Sequence, residues 1–392
     1  MTFKTVGVFV AGIAVLAATA AVVDAQGPIR IGASMSLTGT YAKLGKNQHE
    51  GYKLCERDLN AKGGVLGRKV EIVVYDDQSM PATAVRLYEK LITEDKVDGV
   101  MGPYSSPVTE AAANVTEKYK KVMVSPLAAT TSIFRKGRKY IFMVISPAEV
   151  YLEGLLDIAA KRGLKTVAVI NEDTLSSKAA AAGATDLAKK KGLQVVFTEA
   201  YPKGNTDFSA LLTKVKSLNP DVIAAGTYFD DAVALTRQMR ELNVNPKMFG
   251  VTVGGDLPEF YDTLKQNAEY IYGSTQWEPS LPYPGNKEFF DSYKKEFGHE
   301  PSYHSAAGYA GCLIYAEGVK RAGSLDADKV REALLKLDMK TMFGEYKVDQ
   351  DGFQVAHKMV LFQWHEGKKF TVWPDELAAA KPHFPTPPWN QR

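Results

Sequence analysis

The sequence predicts an α/β protein built on two doubly wound, mostly parallel sheets. Short apolar runs alternate with helical patterns at regular spacing from Ile29 onward. The alternation breaks at Ser146-Pro147 and begins again at Glu149, as a second lobe would. At 392 residues the chain is long enough for two domains.

In the first lobe Ile29–Met35 reads as a strand and Ser36–Tyr41 as a loop. Gly45–Lys62 is an amphipathic helix, stopped by Gly63-Gly64. Val70–Tyr75 is a second strand ending at Asp76-Asp77, and Pro81–Thr93 is a helix. Val97–Met101 suits a buried strand. After Pro103–Ser106, Pro107 opens a helix that runs to about Tyr119. Val122–Ser125 is a strand, Leu127–Ser132 a loop of small and hydroxyl residues, and Tyr140–Val144 another strand.

The second lobe reads as helices over Glu149–Lys161, Ser176–Lys190, Phe208–Ser217, Asp230–Leu242 and Pro258–Gln266. Strands over Thr166–Ile170, Gln194–Ala200, Val222–Ala225 and Phe249–Val251 lie between them. Tyr272–Pro284 has little periodicity and reads as a crossover. Helices follow at Asn286–Phe297, Ser302–Ala322 and Ala327–Leu337. Met359–Trp364 and Phe370–Trp373 form a hairpin around Glu366-Gly367, and the tail from Pro374 is Pro-rich and irregular.

The charge balance, 48 basic against 45 acidic residues with no basic stripe, excludes a nucleic-acid partner. Residues 1–25 carry the layout of a signal peptide: Lys4, an apolar run from Val6 to about Ala18, then Val23-Asp24-Ala25 as a small-x-small cleavage site. The mature chain is expected to begin near Gln26. No Cys stands at that site, so a lipid anchor is not expected. Cys55 and Cys312 both fall on predicted helices; export makes one long-range bridge possible, spacing does not test its geometry, and two buried free thiols are slightly favoured over it.

Several motifs are set aside. Gly39–Lys46 has five residues between its glycines where a phosphate loop has four, and Asn47 stands where Ser or Thr is needed. The six His residues are scattered, with no i, i+4 pair for zinc. Asp76-Asp77 read as solvated strand-end carboxylates. Asn114-Val115-Thr116 is a sequon of a kind common by chance. No nucleophile–base spacing supports catalysis, and neither enzyme activity nor a cofactor or metal is expected.

The candidate site lies between Val97 and Ser132. Both loops there, Tyr104–Ser106 and Ala128–Thr131, follow parallel strands and so share one sheet edge, where open α/β sheets bind ligands. A helix N-terminus and the hydroxyls of Ser105, Ser106, Thr130 and Thr131 favour a small anion, foremost a carboxylate. The alternative is a polar loop serving only the fold. Tyr104, Tyr228, Phe229 and Trp277 fall beside predicted loops and suit an aromatic wall.

Nearly all of the mature chain resembles the leucine/isoleucine/valine-binding family of periplasmic ABC-transporter receptors. The resemblance is carried by IRIGASMSLTGTYAKLG, NAKGGVLGRKVEIVVYDDQSMPATAV, GPYSSPVTEAA, SPLAATTS and FQWHEGK. It implies a type I periplasmic binding protein fold with three crossovers, near Ser146, Gly273 and Gln354. Lobe 1 would span 28–145 and 275–354, and lobe 2 146–274 and 355–392. It also implies a monomer in the periplasm that hands a small carboxylate ligand to an inner-membrane ABC permease. Ser105 or Ser106, Ala128 and Thr130 match the family's carboxylate-binding loops, and Tyr228 matches a ligand-contacting tyrosine.

The chain departs from the amino-acid-binding pattern in two places. No acid follows Gly250 at the family's spacing, so Asp256, Asp230 or Asp231 would have to meet a ligand ammonium. Leu175-Ser176 replaces a further tyrosine. The ligand is therefore a hydrophobic amino acid or a non-amino carboxylate such as an aromatic acid. A ligand-sensing regulator and an exported enzyme are the rival functions.

Overall fold

Most strands of the two main sheets form on short apolar or β-branched runs, whereas the hairpin over Asp338–Thr341 and Gly344–Lys347 is polar. The computed structural model describes residues 1–3 and 27–392, so the expected export segment falls almost wholly outside the described residues. Among those residues no helix is long and apolar enough to cross a membrane.

The chain begins with β1 (Ile29–Met35), α1 (Ala42–Ala61), β2 (Val70–Asp76), α2 (Pro81–Thr93), β3 (Gly99–Met101), α3 (Ser106–Lys118), β4 (Met123–Ser125), α4 (Thr131–Phe134) and β5 (Ile141–Met143). Their strands form one parallel sheet in the order β2-β1-β3-β4-β5. The expected loop over Leu127–Ser132 is cut short, because α4 already begins at Thr131.

A second run follows: α5 (Glu153–Lys161), β6 (Thr166–Glu172), α6 (Leu175–Lys190), β7 (Gln194–Tyr201), α7 (Ser209–Leu218), β8 (Val222–Gly226), α8 (Phe229–Glu241), β9 (Met248–Val251), α9 (Pro258–Leu264) and β10 (Tyr272–Thr275). The chain then returns to the first lobe as α10 (Asn286–Phe297), α11 (Tyr303–Ala322), α12 (Ala327–Leu335) and the hairpin β11 (Asp338–Thr341) and β12 (Gly344–Lys347). It ends with β13 (Val360–His365) and β14 (Lys368–Trp373). The second sheet runs β14-β13-β10-β9-β8-β6-β7; β13 alone is reversed, antiparallel to both β10 and β14.

Tyr272–Thr275 is thus a strand, not part of an unstructured crossover. Its aperiodic sequence reflects burial on both faces. Gly273 is required there, since a Cβ would sit 2.2 Å from the Phe362 ring. The tail beyond Pro374 is irregular but anchored: Trp389 is buried, and its indole N–H donates to the Val244 carbonyl at 2.7 Å.

Cys55 and Cys312 form a disulfide between α1 and α11, against the expectation of free thiols. Glycines explain it. Gly51 stands one turn before Cys55, and Gly308 one turn before Cys312. A Cβ on Gly51 would lie 2.2 Å from the Ser305 carbonyl oxygen, and one on Gly308 2.5 Å from that of Gln48. The bare backbones bring the helices together until the cysteine Cα atoms are 6.2 Å apart, within bridging range.

Three chain segments pass between the sheets and are stitched to one another. The Ser146 N–H donates to Gln276 Oε1 at 3.1 Å, and its hydroxyl to the His357 carbonyl at 2.9 Å. The Gln354 side-chain amide donates to the Val144 carbonyl at 3.0 Å.

Candidate functional site

The loops after β1, β3 and β4 in the first sheet face those after β6, β8 and β9 in the second. The loop after β1 is held by Asp77, which is fully buried rather than solvated. Asp77 accepts hydrogen bonds from the Ser34 and Ser36 hydroxyls, each at 2.8 Å, and from the Ser79 N–H at 2.9 Å. Asp76 accepts from the Leu37 N–H and the Thr38 hydroxyl. Packing the loop this way costs desolvation of Asp77, which raises its pKa against the lowering effect of those donors. The gain is a fixed Tyr41 at the loop's end.

The carboxylate-type loops are both buried, and their hydroxyls divide into two kinds. Ser106, the first residue of α3, accepts from the Ala129 and Thr130 N–H groups at 3.0 and 3.3 Å. It braces one loop on the other and is not free for a ligand. Ser105 stands at φ +77° with its hydroxyl buried and unpartnered among the described residues, as is that of Thr130. A non-glycine residue at that φ is strained, and an orphaned buried hydroxyl adds a desolvation cost. Pro107, next in α3, has no N–H to offer. Ala128 is fully buried between the two strands' loops. Thr131 lies apart: its N–H donates to Glu149 Oε1 at 3.3 Å, and the residue is half-buried at the head of α4.

The second lobe contributes acid. Asp230 is exposed. Asp231 is buried but already accepts from the Tyr201 hydroxyl at 2.7 Å and the Tyr228 N–H at 2.8 Å. Asp256, in the loop after β9, is buried with both carboxylate oxygens unpartnered among the described residues. Burial pushes its pKa up to about 7, with Lys369 pulling the other way. Of the three acids expected to meet an ammonium, Asp256 is the one that is both buried and without a hydrogen-bond partner among the described residues.

Aromatic rings from both lobes close around these groups. Tyr41 packs on Tyr228 at 4.8 Å and on Tyr104 at 5.7 Å between ring centroids. The Tyr104 hydroxyl lies 3.4 Å from His304 Nε2, and His304 Nδ1 is 3.9 Å from Asp256 Oδ2. Burial holds His304 down at about 3, so it is neutral and this contact is not an ion pair. Phe229 is half-buried at the rim, under the Lys43 ammonium at 4.0 Å. Lys43 also reaches Glu259 of the second lobe at 3.8 Å.

Trp277 does not join this group. Its indole N–H donates to Asn286 Oδ1 at 2.7 Å and its ring packs on Phe289, within the first lobe. The sequence reading passed over Tyr41, Glu172, Thr174, Tyr303 and His304. Each stands in a loop, at a strand end or at a helix start, where a lone aromatic, hydroxyl or acid is common, so no local pattern marks it. Among the described residues no group of three or more His, Cys, Asp or Glu is placed to hold a metal.

Comparison with known proteins agrees with this architecture. A homolog of a Leu/Ile/Val-binding protein from Brucella suis is 29% identical over 95% of this chain and 98% of its own length. A leucine-binding protein structure from Thermotoga maritima matches with TM-score 0.80 and 26% identity, over 89% of this chain and all of that one. A solute-binding protein of an ABC transporter from Rhodopseudomonas palustris, in complex with 3,4-dihydroxybenzoic acid, shares the fold at TM-score 0.78 and 24% identity, over 88% of this chain and 95% of that one. The family model described as periplasmic binding protein matches residues 28–369. The chain therefore belongs to the periplasmic binding protein family, with its type I two-lobed fold.

Proposed function

We propose that this protein is the exported solute receptor of an ABC importer, and that it captures a small α-amino acid with a hydrophobic body between its lobes. The carrying observation is a set of buried, unpartnered polar atoms on facing loops: Ser105 Oγ and Thr130 Oγ1 on one lobe, both Asp256 oxygens on the other. Native proteins leave few such groups without partners. A zwitterion offers a carboxylate to the hydroxyls and an ammonium to Asp256, and the tyrosines enclose the rest. The relatives named for leucine, isoleucine and valine binding support this ligand class.

Ligand capture would proceed by closure. The segments at Ser146, Gln276 and Gln354 form the hinge in this reading, and they divide the chain into lobes near those positions. The ligand carboxylate docks first on the neutral lobe, and Asp256 is offset once the second lobe closes. Ligand then favours the closed state because its ammonium contact exists only there. A permease reads the closed form.

Burial that lifts Asp256 to about 7 also favours a second reading, a non-amino aromatic acid, because a neutral Asp256 can donate a hydrogen bond. Calorimetric titration of refolded, ligand-free protein separates the two. The panel is leucine, phenylalanine and their des-amino acids. Binding by the amino acids alone is expected; binding by the des-amino acids alone overturns the amino-acid assignment.

A further inference from the structure

A second cluster of buried polar groups adjoins the carboxylate loops, with the Tyr41 ring 5.7 Å from that of Tyr104. Glu172 ends β6, and Thr174 caps α6 without a side-chain hydrogen bond. Tyr41 faces them from the other lobe. Glu172 Oε2, the Thr174 hydroxyl and the Tyr41 hydroxyl are all buried and make no well-aligned hydrogen bond among the described residues, although the Thr174 hydroxyl lies near enough to Glu172, and that of Tyr41 to Tyr228, to act on their charge. Relative exposures are 3%, 9% and 1%, so none is relieved by solvent. We propose that these three groups form a distal subsite that reads a hydroxyl on the end of the ligand opposite its carboxylate.

Strand order places the cluster at the right distance. In the first sheet Tyr41 follows β1, on the far side of β3 from the Ala128–Thr130 loop after β4. In the second, Glu172 follows β6, two places from β9 and Asp256. Neighbouring strands lie ~4.8 Å apart, so the strand ends that carry Tyr41 and Glu172 lie ~10 Å from those that carry the Ala128–Thr130 loop and Asp256, with the β3 loop of Ser105 in between. That span suits one small ligand engaged at both ends.

The chemistry selects a hydroxyl over a charge. Glu172 Oε1 already accepts from the Gly204 N–H at 3.3 Å. The ammonium of Lys203, which lies 4.2 Å over the Tyr41 ring, acts on Glu172 and offsets its charge. A second cation is therefore not called for. A hydroxyl donates once and accepts twice, so it can donate to Glu172 and accept from Tyr41 and Thr174. A plain hydrocarbon end would leave all three groups desolvated and unpaired, which is how a site rejects the analogue lacking the hydroxyl.

The inference rests on the small-carboxylate receptor reading, and matched pairs test the two apart. Ligand-free protein is titrated calorimetrically with phenylalanine against tyrosine, 3-phenylpropanoate against 3-(4-hydroxyphenyl)propanoate, and benzoate against 4-hydroxybenzoate. In whichever pair binds, the hydroxylated member is expected to bind about 10–100-fold tighter. Thr174→Val and Tyr41→Phe should pull that ratio toward one, whereas Ser105→Ala weakens both members together. Equal affinities within the pair, or a tighter plain member, would mean that water fills the cluster and would overturn the subsite alone. A ratio untouched by both Thr174→Val and Tyr41→Phe places the hydroxyl elsewhere and overturns it too. No binding by any member overturns the receptor reading and the subsite with it.

Discussion

The two lobes meet with edges of opposite character. The first presents hydroxyls on loops that are braced before any ligand arrives: Ser106 ties the β4 loop to α3, Asp77 ties the β1 loop, and a disulfide joins the helices behind them. The second presents carboxylates, and of these Asp256 and one oxygen of Glu172 are buried without partners. A braced neutral edge is a docking template. An edge carrying uncompensated acids is costly until something pairs with it. On the proposed receptor function, this asymmetry would give initial capture to the first lobe and the ligand-driven response to the second.

Removing the brace should produce the largest effect. Cys55→Ala with Cys312→Ala is expected to lower stability by about 3–5 kcal/mol, read as a shifted denaturant midpoint. Ligand affinity should survive in the absence of denaturant, because the bridge lies behind the binding loops. A change in affinity as large as the change in stability would erase the distinction between brace and site.

Asp256→Asn tests the opposite edge. A carboxyl held near 7 rather than 3.8 is protonated in the folded protein, but not in the unfolded one, between those values. Folded protein then binds more protons, so stability falls as pH rises through that window, by up to ~4 kcal/mol. The Asn variant should be more stable than the parent at pH 8, lose that advantage near pH 4, and bind amino acids at least ~100-fold more weakly, as loss of a buried charge pair would give. A variant destabilised at pH 8 would mean that Asp256 is already paired.

The same titration predicts a pH profile. An ammonium needs Asp256 ionised, so affinity for an amino acid should climb with pH to about 7 and then level off. Asp256→Asn should flatten that climb, and calorimetry at several pH values reads it directly.

The smallest effects separate the two serines. Ser105→Ala with Thr130→Val should weaken binding about 10–100-fold while changing stability little, since neither hydroxyl has a partner to lose. Ser106→Ala removes the acceptor for two loop N–H groups and should cost about 1–2 kcal/mol of stability. Equivalent behaviour of the two would dissolve the division between free and bracing hydroxyls.

Much of this molecule was legible locally. Strand and helix periods located nearly every element because each period is a property of consecutive residues, and the helix at Pro81–Thr93 was bounded to the residue. The positions of the Ser/Thr loops at strand ends were legible for the same reason: a strand end, a proline and a helix start are neighbours in the chain. The strand at Tyr272–Thr275 was missed because full burial removes the alternation that announces a strand. The disulfide stayed open, with free thiols slightly favoured, because two glycine-assisted helix faces, 257 residues apart, had to be brought together first.

The amino-acid sequence alone determined the two α/β runs, the sheet edge at which their strand-end loops gather, and the hydroxyls offered there. Which hydroxyl is spent on the protein and which is left free, that Trp277 packs inward while Tyr41 faces the second lobe, and that Asp256 rather than Asp230 or Asp231 keeps an unpaired carboxylate were decided by tertiary contact. Hydrogen-bond satisfaction and desolvation belong to groups that meet in space, and two lobes must fold against each other before either can be read.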